Sequence, residues 1–241
     1  FRWAATLRGM EMTNYKFGDK QARLWHQTLG LSRIQIIKEY LDAFFTRRKF
    51  FPVFEIKQKN IDKMIKKLSK YKPILIDGYA EAINLCARYI SSKEKLSNKK
   101  MSVISSAQML PQHSRELIEN NLNCEVYDKY GSREFSGIAY ECNKHFGHHV
   151  VAENYIVEIL KDKEPAKENE VGEIVITDLN NYCMPLIRYR IGDLARSLGT
   201  KACDCGRGLP LIGDIQGRVQ SIIIGANGKY LPGTYFSHLF K

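Results

Sequence analysis

The sequence predicts an α/β chain: a parallel sheet with flanking helices, followed by a small antiparallel sheet or distorted barrel. Three observations carry that prediction. Between Pro73 and Tyr130, short apolar runs alternate with helical stretches in the order strand, helix, strand, helix, strand, the pattern of parallel strands joined by right-handed crossovers. After Gly147 the texture changes to strand-like runs split by polar turns: "HHVVAENYIVEILKD", "GEIVITDL" and "PLIRYRIGDLARSL". The 241 residues are 44% hydrophobic and 26% charged, a globular composition with enough apolar material for a substantial core.

Taken in order, Phe1–Gly9 reads as the tail of a helix that starts upstream, and Gly18-Asp19 marks a turn. Ala22–Leu29 is a short strand or turn-rich segment. From Arg33 to Phe45, Ile34, Ile37, Tyr40, Leu41, Phe44 and Phe45 recur at helical spacing. Arg47-Arg48-Lys49 closes that helix with positive charge, as its dipole favours. "FFPVFEIK" is strand-like with Pro52 at its start or edge. Asn60 is placed to cap a basic helix that turns Ile61, Met64, Ile65 and Leu68 inward. Pro73–Ile76 is a buried strand, Asp77-Gly78-Tyr79 a turn, and Ala80–Ile90 a helix. Ser91–Lys100 is a polar loop. Met101–Ile104 is a strand ending in Ser105–Gln108, Pro111–Asn120 a helix, and Cys124–Val126 a third strand. That strand leads into "YDKYGSREFSG", read as a Tyr-Gly-Ser turn followed by Glu134. Beyond it, Lys161–Glu170 is a charged hairpin loop, Gly213–Gly217 carries no clear element, "SIIIG" is a short strand and Gly225–Gly228 a turn. There is no internal repeat.

In parallel sheets ligands sit outside the carboxyl ends of the strands. Three turns occupy those ends, Asp77–Tyr79, Ser105–Gln108 and Tyr130–Glu134, and they are expected side by side. A net charge of +11 permits anionic ligands, but the lysines of Lys57–Lys72 and Lys93–Lys100 read as solvated faces. No nucleic-acid module is recognisable, so no specific nucleic-acid binding is expected. No apolar run approaches the roughly 20 residues of a membrane span. Cys86, Cys124 and Cys183 sit singly in apolar segments, where buried thiols are usual, and the pattern suits a reducing, cytoplasmic setting. Cys203 and Cys205, with Cys142 and one of His145, His148 or His149, make a candidate tetrahedral zinc set; unrelated polar residues near loops are the plainer alternative. Gly192-Asp193 ends a strand in the way of acids that accept bonds from ribose hydroxyls, with Arg188 and Arg190 nearby. The plainer alternative is a turn with two exposed arginines.

Three stretches in order, "YGSREFSG", "PLIRYRIGDLA" and "CDCGRGLPLIGDIQGR", resemble the phenylacetate–CoA ligase family and its capsular polysaccharide biosynthesis relatives, which are adenylate-forming (AMP-forming) acyl ligases. The likeness runs from about Arg2 to Gly233. It implies the central part of such an enzyme's large domain. An acid, aryl or acyl, attacks the α-phosphate of ATP, and coenzyme A displaces AMP from the acyl-adenylate. By the resemblance Ser105–Gln108 lines adenine, through Ser106, Ala107 and Gln108; Tyr130, Gly131 and Ser132 meet adenine and the α-phosphate; Glu134 binds Mg2+; and Asp193 binds ribose. Arg218 stands at the junction with a small C-terminal domain, and Gly78 and Tyr79 fall at the acyl pocket. Cys142, His149, Cys203 and Cys205 match a structural Zn2+ set, with His148 an equal candidate by counting.

The resemblance further implies an α/β subdomain over residues 1–147, a β-rich subdomain over 148–216, and a hinge with the start of a small domain over 217–241. The family's phosphate loop falls upstream of Phe1, and its catalytic lysine lies beyond Lys241. The 241 residues by themselves are therefore expected to be inactive. Gln220-Ser221 replaces the acidic hinge residues common in relatives, and Arg133 fills the variable place before the glutamate. The expected partners are a small carboxylate, ATP and coenzyme A, with a homodimer left open. Two alternatives stand beside this: transfer to a sugar amine or carrier protein instead of coenzyme A, and a non-catalytic, zinc-stabilised basic binding module. A ligase needs Glu134 and Asp193 on one cleft, whereas a binder of anionic polymers avoids carboxylates there.

Overall fold

The computed structural model describes residues 2–25, 32–52, 58–90, 101–218, 222–224 and 230–232. The chain forms two compact units, Thr6–Lys129, and Phe1–Ala5 with Tyr130–Lys241. The architecture is the expected one, a mostly parallel, helix-flanked sheet followed by a smaller antiparallel sheet. No described helix is long and apolar enough to cross a membrane.

Helix α1 (Arg2–Met10) starts in one unit and ends in the other. Within Thr6–Lys129 follow β1 (Gln21–Leu24), α2 (Arg33–Phe45), β2 (Arg48–Phe50), α3 (Gln58–Tyr71), β3 (Leu75–Tyr79), α4 (Ala80–Tyr89), β4 (Met101–Ser106), α5 (Gln112–Leu122) and β5 (Cys124–Ser132), whose end passes into the other unit. The strands lie in the order β2-β1-β3-β4-β5, and every neighbouring pair is parallel. The period-2 alternation of strand side chains gives this sheet two distinct faces. Ala22, Leu24, Ile76, Val103 and Val126 point to one, where Ile61, Ile65 and Leu68 of α3 join Ile83 and Ala87 of α4 and Ile118 of α5 in the main core. On the other face Leu75, Ile104 and Tyr127 pack with Met10 and Tyr15.

Several local expectations are corrected. Asp77-Gly78-Tyr79 is not a turn: β3 runs through Tyr79, and Asp77, Gly78 and Tyr79 pair with Ile104, Ser105 and Ser106. Gly78 serves closeness of approach, since a Cβ there would stand 2.7 Å from the Leu24 Cβ and 3.0 Å from the Leu24 carbonyl oxygen. Gly78→Ala is therefore expected to cost on the order of 1–3 kcal/mol, read as a lower urea midpoint at unchanged slope. Arg48 and Lys49 are strand, not helix cap. Arg47 takes a left-handed φ of 52°, and Arg48 turns inward to Asp42 and Glu39. The strand expected over Phe50–Lys57 ends at Phe50, and residues 53–57 lie outside the described ones, as do Ser91–Lys100 and Gly225–Gly228. Helix α3 starts at Gln58, so Asn60 lies in its first turn rather than before it. Helix α2 has the expected span, closed at its start by a Ser32–Gln35 capping box. Its apolar stripe of Ile34, Ile37, Tyr40, Leu41, Phe44 and Phe45 is exposed among the described residues.

In the other unit, β6 (Ser136–Glu141), β7 (His148–Val150) and β12 (Leu211–Ile212) form an antiparallel set in the order β6-β7-β12. The five-stranded antiparallel sheet has the order β13-β11-β10-β8-β9, built from β8 (Tyr155–Lys161), β9 (Glu164–Pro165), β10 (Val171–Asp178), β11 (Tyr189–Arg196) and β13 (Ile215–Arg218). Strand β13 takes up Ile215–Gly217 of the stretch read as carrying no clear element, and runs on to Arg218. "GDIQGR" lacks a period-2 pattern, yet it pairs along β11. β14 (Ile222–Ile224) and β15 (Tyr230–Pro232) form a hairpin. Cys183, expected to be buried, is exposed, between exposed Tyr182 and Met184 in the loop from β10 to β11. Burial pushes the thiols of Cys86 and Cys124 up to about 12.

Candidate functional site

The stretch Tyr127–Gly137 is a hairpin whose bend falls later than expected. β5 continues through Gly131 and Ser132, and the turn is Arg133–Phe135. Ser136 follows with a left-handed φ of 67°, a residue that closes a three-residue hairpin loop. Gly131 is required by closeness, since a Cβ there would lie 2.3 Å from the Ser136 carbonyl oxygen. Phe135 is fully buried, edge-on to Tyr155 with ring centres 5.6 Å apart, and the Tyr155 hydroxyl donates to the Phe135 carbonyl. This anchor turns the neighbouring Glu134 outward at the hairpin tip. Its carboxylate pKa is lowered by its own backbone N–H, then by the Ser132 hydroxyl, with a contribution from Arg218. Arg2 donates to the Glu134 carbonyl at 3.3 Å and faces Asp178 at 3.5 Å.

Two side chains from β11 and β13 join Tyr130 at the base of this hairpin. The Tyr130 hydroxyl donates to Asp193 Oδ2 at 2.8 Å. Arg218 Nε lies 3.2 Å from Asp193 Oδ1, because β11 and β13 pair with Asp193 opposite Arg218. The strand does not end at Gly192-Asp193 as expected: β11 runs on to Arg196 because Asp193, Leu194 and Ala195 pair with β13, and within it Gly192 has a φ of 80° and Asp193 is buried. Burial raises the Tyr130 hydroxyl pKa, and Asp193 raises it further by charge and hydrogen bond, with a smaller contribution from Glu134. Tyr130 therefore stays a neutral donor, and both carboxylates act on its hydroxyl. Arg188 and Arg190 do not join this group; they are exposed and paired with Glu158 and Glu173.

A second constellation lies in the same unit. Cys142 follows β6 directly, His149 lies in β7, and Cys203 and Cys205 lie in the loop before β12. Pairing of β12 with β7 sets Leu211 opposite His149 and so draws that loop to the histidine. The ligating atoms of these four residues lie within 4.8 Å of one another. The Cys142 and Cys203 sulfurs are 3.7 Å apart, and Cys205 Sγ is 3.3 Å from His149 Nε2. His148 and His149 are consecutive in a strand and point to opposite faces, which is why His149 belongs to the group and His148 does not. Burial raises the Cys142 thiol to about 11. For Cys205 burial also acts upward, but hydrogen bonds from Arg207 and the two other thiols outweigh it and bring the group down to about 7. Three thiols and an imidazole nitrogen are the donor set of a closed tetrahedral Cys3His site.

Within Thr6–Lys129 the expected turns at Asp77–Tyr79 and Ser105–Ser106 are strand, and there β3, β4 and β5 run side by side. Gly78 lies opposite Ser105, Tyr79 opposite Ser106, and Ser106 opposite Lys129, the residue before Tyr130. The Ser106 hydroxyl donates to the Lys129 carbonyl at 3.3 Å, Ala107 has a φ of 70°, and Gln108 Oε1 accepts from the backbone N–H of Glu81 at the start of α4. The sequence reading missed Trp25, which leaves the end of β1 and lies 4.3 Å from Tyr79, ring centre to ring centre. An aromatic residue at a parallel strand's carboxyl end was the signal available for it.

No protein-family model matches the chain. It is 28% identical over 172 residues to Protein CapK of Staphylococcus aureus, an alignment covering 69% of this chain and 37% of that protein. It is 33% identical over 115 residues to the phenylacetate-coenzyme A ligase of Thermus thermophilus, covering 46% and 26%. The chain thus spans well under half the length of these curated relatives. Among solved structures it resembles a 2-hydroxyisobutyryl-CoA ligase in the postadenylation state, with a TM-score of 0.73 at 19% identity over 95% of this chain and 49% of that one. It also resembles the O-succinylbenzoate coenzyme A synthetase of Bacillus subtilis in complex with AMP, with a TM-score of 0.59 at 11% identity over 94% and 46%.

Proposed function

We propose that this chain, whose sequence similarity and fold support membership of the adenylate-forming ligase superfamily, is the nucleotide-binding core of an AMP-forming carboxylate ligase that passes its acyl group to coenzyme A. One observation supports this above the others. Three stretches of sequence supply this group, and in one compact unit Asp193 holds both the Tyr130 hydroxyl and Arg218, with Glu134 at the tip of the same hairpin as Tyr130. A binder of anionic polymers would place cations there, not two carboxylates.

In the proposed reaction a substrate carboxylate oxygen attacks the α-phosphorus of ATP, and the bond to pyrophosphate breaks. The thiol of coenzyme A then attacks the acyl carbon, and AMP leaves. Charge builds on phosphate oxygens in the first step, so positioning and fixed charge supply most of the acceleration. Ser106, Ala107 and Gln108 line adenine, and Tyr130, Gly131 and Ser132 hold the ring and α-phosphate. Asp193 accepts from the ribose hydroxyls, held in place by Tyr130 and Arg218. Gly78 and Tyr79 line the acyl pocket. Glu134, exposed and ionised at the hairpin tip, is suited to Mg2+, which neutralises phosphate charge when bound. Coenzyme A as acceptor rests on the names of the relatives. The four-donor cluster has no open ligand position, so we assign it a structural Zn2+.

The test is acid-dependent ATP–pyrophosphate exchange by the full-length protein, with Tyr130→Phe alongside. Phenylalanine keeps the ring against adenine but loses the bond to Asp193, a hydrogen bond to a charged group worth about 1.5–3 kcal/mol. The expected result is a KM for ATP about tenfold higher or more, with kcat little changed. Exchange with no carboxylate in a broad panel overturns the reading.

A further inference from the structure

The turn that carries Glu134 is held at two successive carbonyls. Arg2 Nη2 donates to the Glu134 carbonyl at 3.3 Å, and the Tyr155 hydroxyl donates to the Phe135 carbonyl. The two donors belong to one group. Tyr155 in β8 and Asp178 in β10 are cross-strand partners, and Arg2 Nη2 lies 3.5 Å from Asp178 Oδ2. Burial pushes the Tyr155 hydroxyl up to about 12, against the charge and hydrogen bond of Arg2, so it stays a neutral donor. The base of the group is fixed. The Asp178 side chain is 2% exposed, against 52% for Arg2. Asp178 Oδ1 accepts from the Asn180 N–H at 2.9 Å, and the Asp178 N–H donates to the Leu186 carbonyl. Tyr155 is buried, edge-on to Phe135. Arg2, Glu134, Tyr155 and Asp178 all lie in the compact unit of Phe1–Ala5 and Tyr130–Lys241.

We propose that Arg2, braced by Asp178 and Tyr155, is a positioning residue for Glu134: it fixes the hairpin tip, and with it the direction in which the Glu134 carboxylate meets Mg2+. A guanidinium suits this task. Its planar fork holds a carbonyl and a carboxylate in fixed geometry, which an ammonium on a flexible stem does not. Without Arg2 the turn keeps Phe135 and Tyr155 but loses the bond to the residue that bears the carboxylate. Groups that orient a metal ligand typically change metal affinity by about 10–100-fold when removed. Arg2 touches no reacting atom and acts through Glu134. The proposal rests on the reading of Glu134 as the Mg2+ ligand and deepens it by naming what aims the carboxylate.

The test uses the full-length protein with Arg2→Met, which removes the charge and the donors, and Arg2→Lys, which keeps the charge. Backbone hydrogen exchange followed by mass spectrometry, without nucleotide or metal, reports on the hairpin itself. Exchange over Tyr130–Gly137 is expected to be about tenfold faster in Arg2→Met, the loss of one hydrogen bond from a charged group. Acid-dependent pyrophosphate release is then followed against Mg2+ concentration. Arg2→Met should need about tenfold more Mg2+ for half its maximal rate. Its rate at saturating Mg2+ should stay within about threefold of the parent, and Arg2→Lys should recover most of the Mg2+ requirement. A tie that merely fastens α1 would lower the thermal midpoint and leave the Mg2+ requirement unchanged. That result, or unchanged exchange over the hairpin, overturns the proposal. A loosened hairpin in Arg2→Met, with no pyrophosphate release by the parent for any acid, defeats the ligase reading and leaves the clamp on the turn standing; normal release with an equal Mg2+ requirement does the reverse.

Discussion

Glu134→Gln in the full-length protein is expected to lower acid-dependent pyrophosphate release by about a hundredfold or more, the loss typical of removing one group that stabilises transition-state charge. The substitution keeps size and shape and removes only the negative charge. Glu134 is exposed at a turn whose position is set by Phe135 and Gly131, so stability should change by less than about 0.5 kcal/mol. Its carboxylate pKa lies below the usual value. The parent should therefore keep Mg2+-dependent activity down to pH values where an ordinary glutamate begins to protonate. Excess Mg2+ should restore part of the variant's rate if the lost charge acts by holding the cation. Unchanged pyrophosphate release in Glu134→Gln at limiting Mg2+ would remove this residue from the mechanism.

The second large effect concerns the cysteine–histidine cluster. The full-length protein as isolated is expected to carry one equivalent of zinc, measured by elemental analysis, and Cys203→Ser to carry little. Structural zinc contributes about 10–16 kcal/mol of apparent binding energy in finger peptides at neutral pH. A unit with its own core depends on it less. Loss of a few kcal/mol still lowers the melting temperature by roughly 10 °C in a chain of this size. The junctions that would loosen are those the four ligands join, the end of β6, the strand β7 and the loop before β12. His148→Ala separates this site from a general effect of the pair of histidines, because its side chain faces away from the cluster and its zinc content should remain at one equivalent. Zinc bound equally by Cys203→Ser and the parent would contradict the assignment.

Much of the fold was legible because its signals are local. Short apolar runs between helical stretches announced β3, β4 and β5, and the helix from Arg33 to Phe45 was read to the residue from its apolar spacing. Boundaries failed where pairing overrode local preference. Asp77-Gly78-Tyr79 has turn composition, yet neighbours on both sides extend β3 through it. Arg48 looks like a helix-end cation, yet a parallel partner makes it strand and acids on α2 take its charge. Residues 215–218 have no strand pattern, and only the ladder along β11 makes them β13.

The same division runs through the candidate site. The sequence by itself determined which groups are present and in what order: a carboxylate after Tyr-Gly-Ser, an acid and later an arginine each directly after a glycine, and three cysteines with neighbouring histidines. Only the tertiary structure decided their partners. Asp193 meets Arg218 because two antiparallel strands pair in that register, and it meets Tyr130 across 63 positions of sequence. His149 rather than His148 faces the thiols because a one-residue step in a strand reverses the side chain. Trp25 reaches Tyr79 because β1 and β3 are parallel neighbours ending together. Local composition specifies which residues carry chemistry. Long-range pairing specifies which of them touch, since a strand's neighbours are chosen by the whole sheet rather than by adjacent residues.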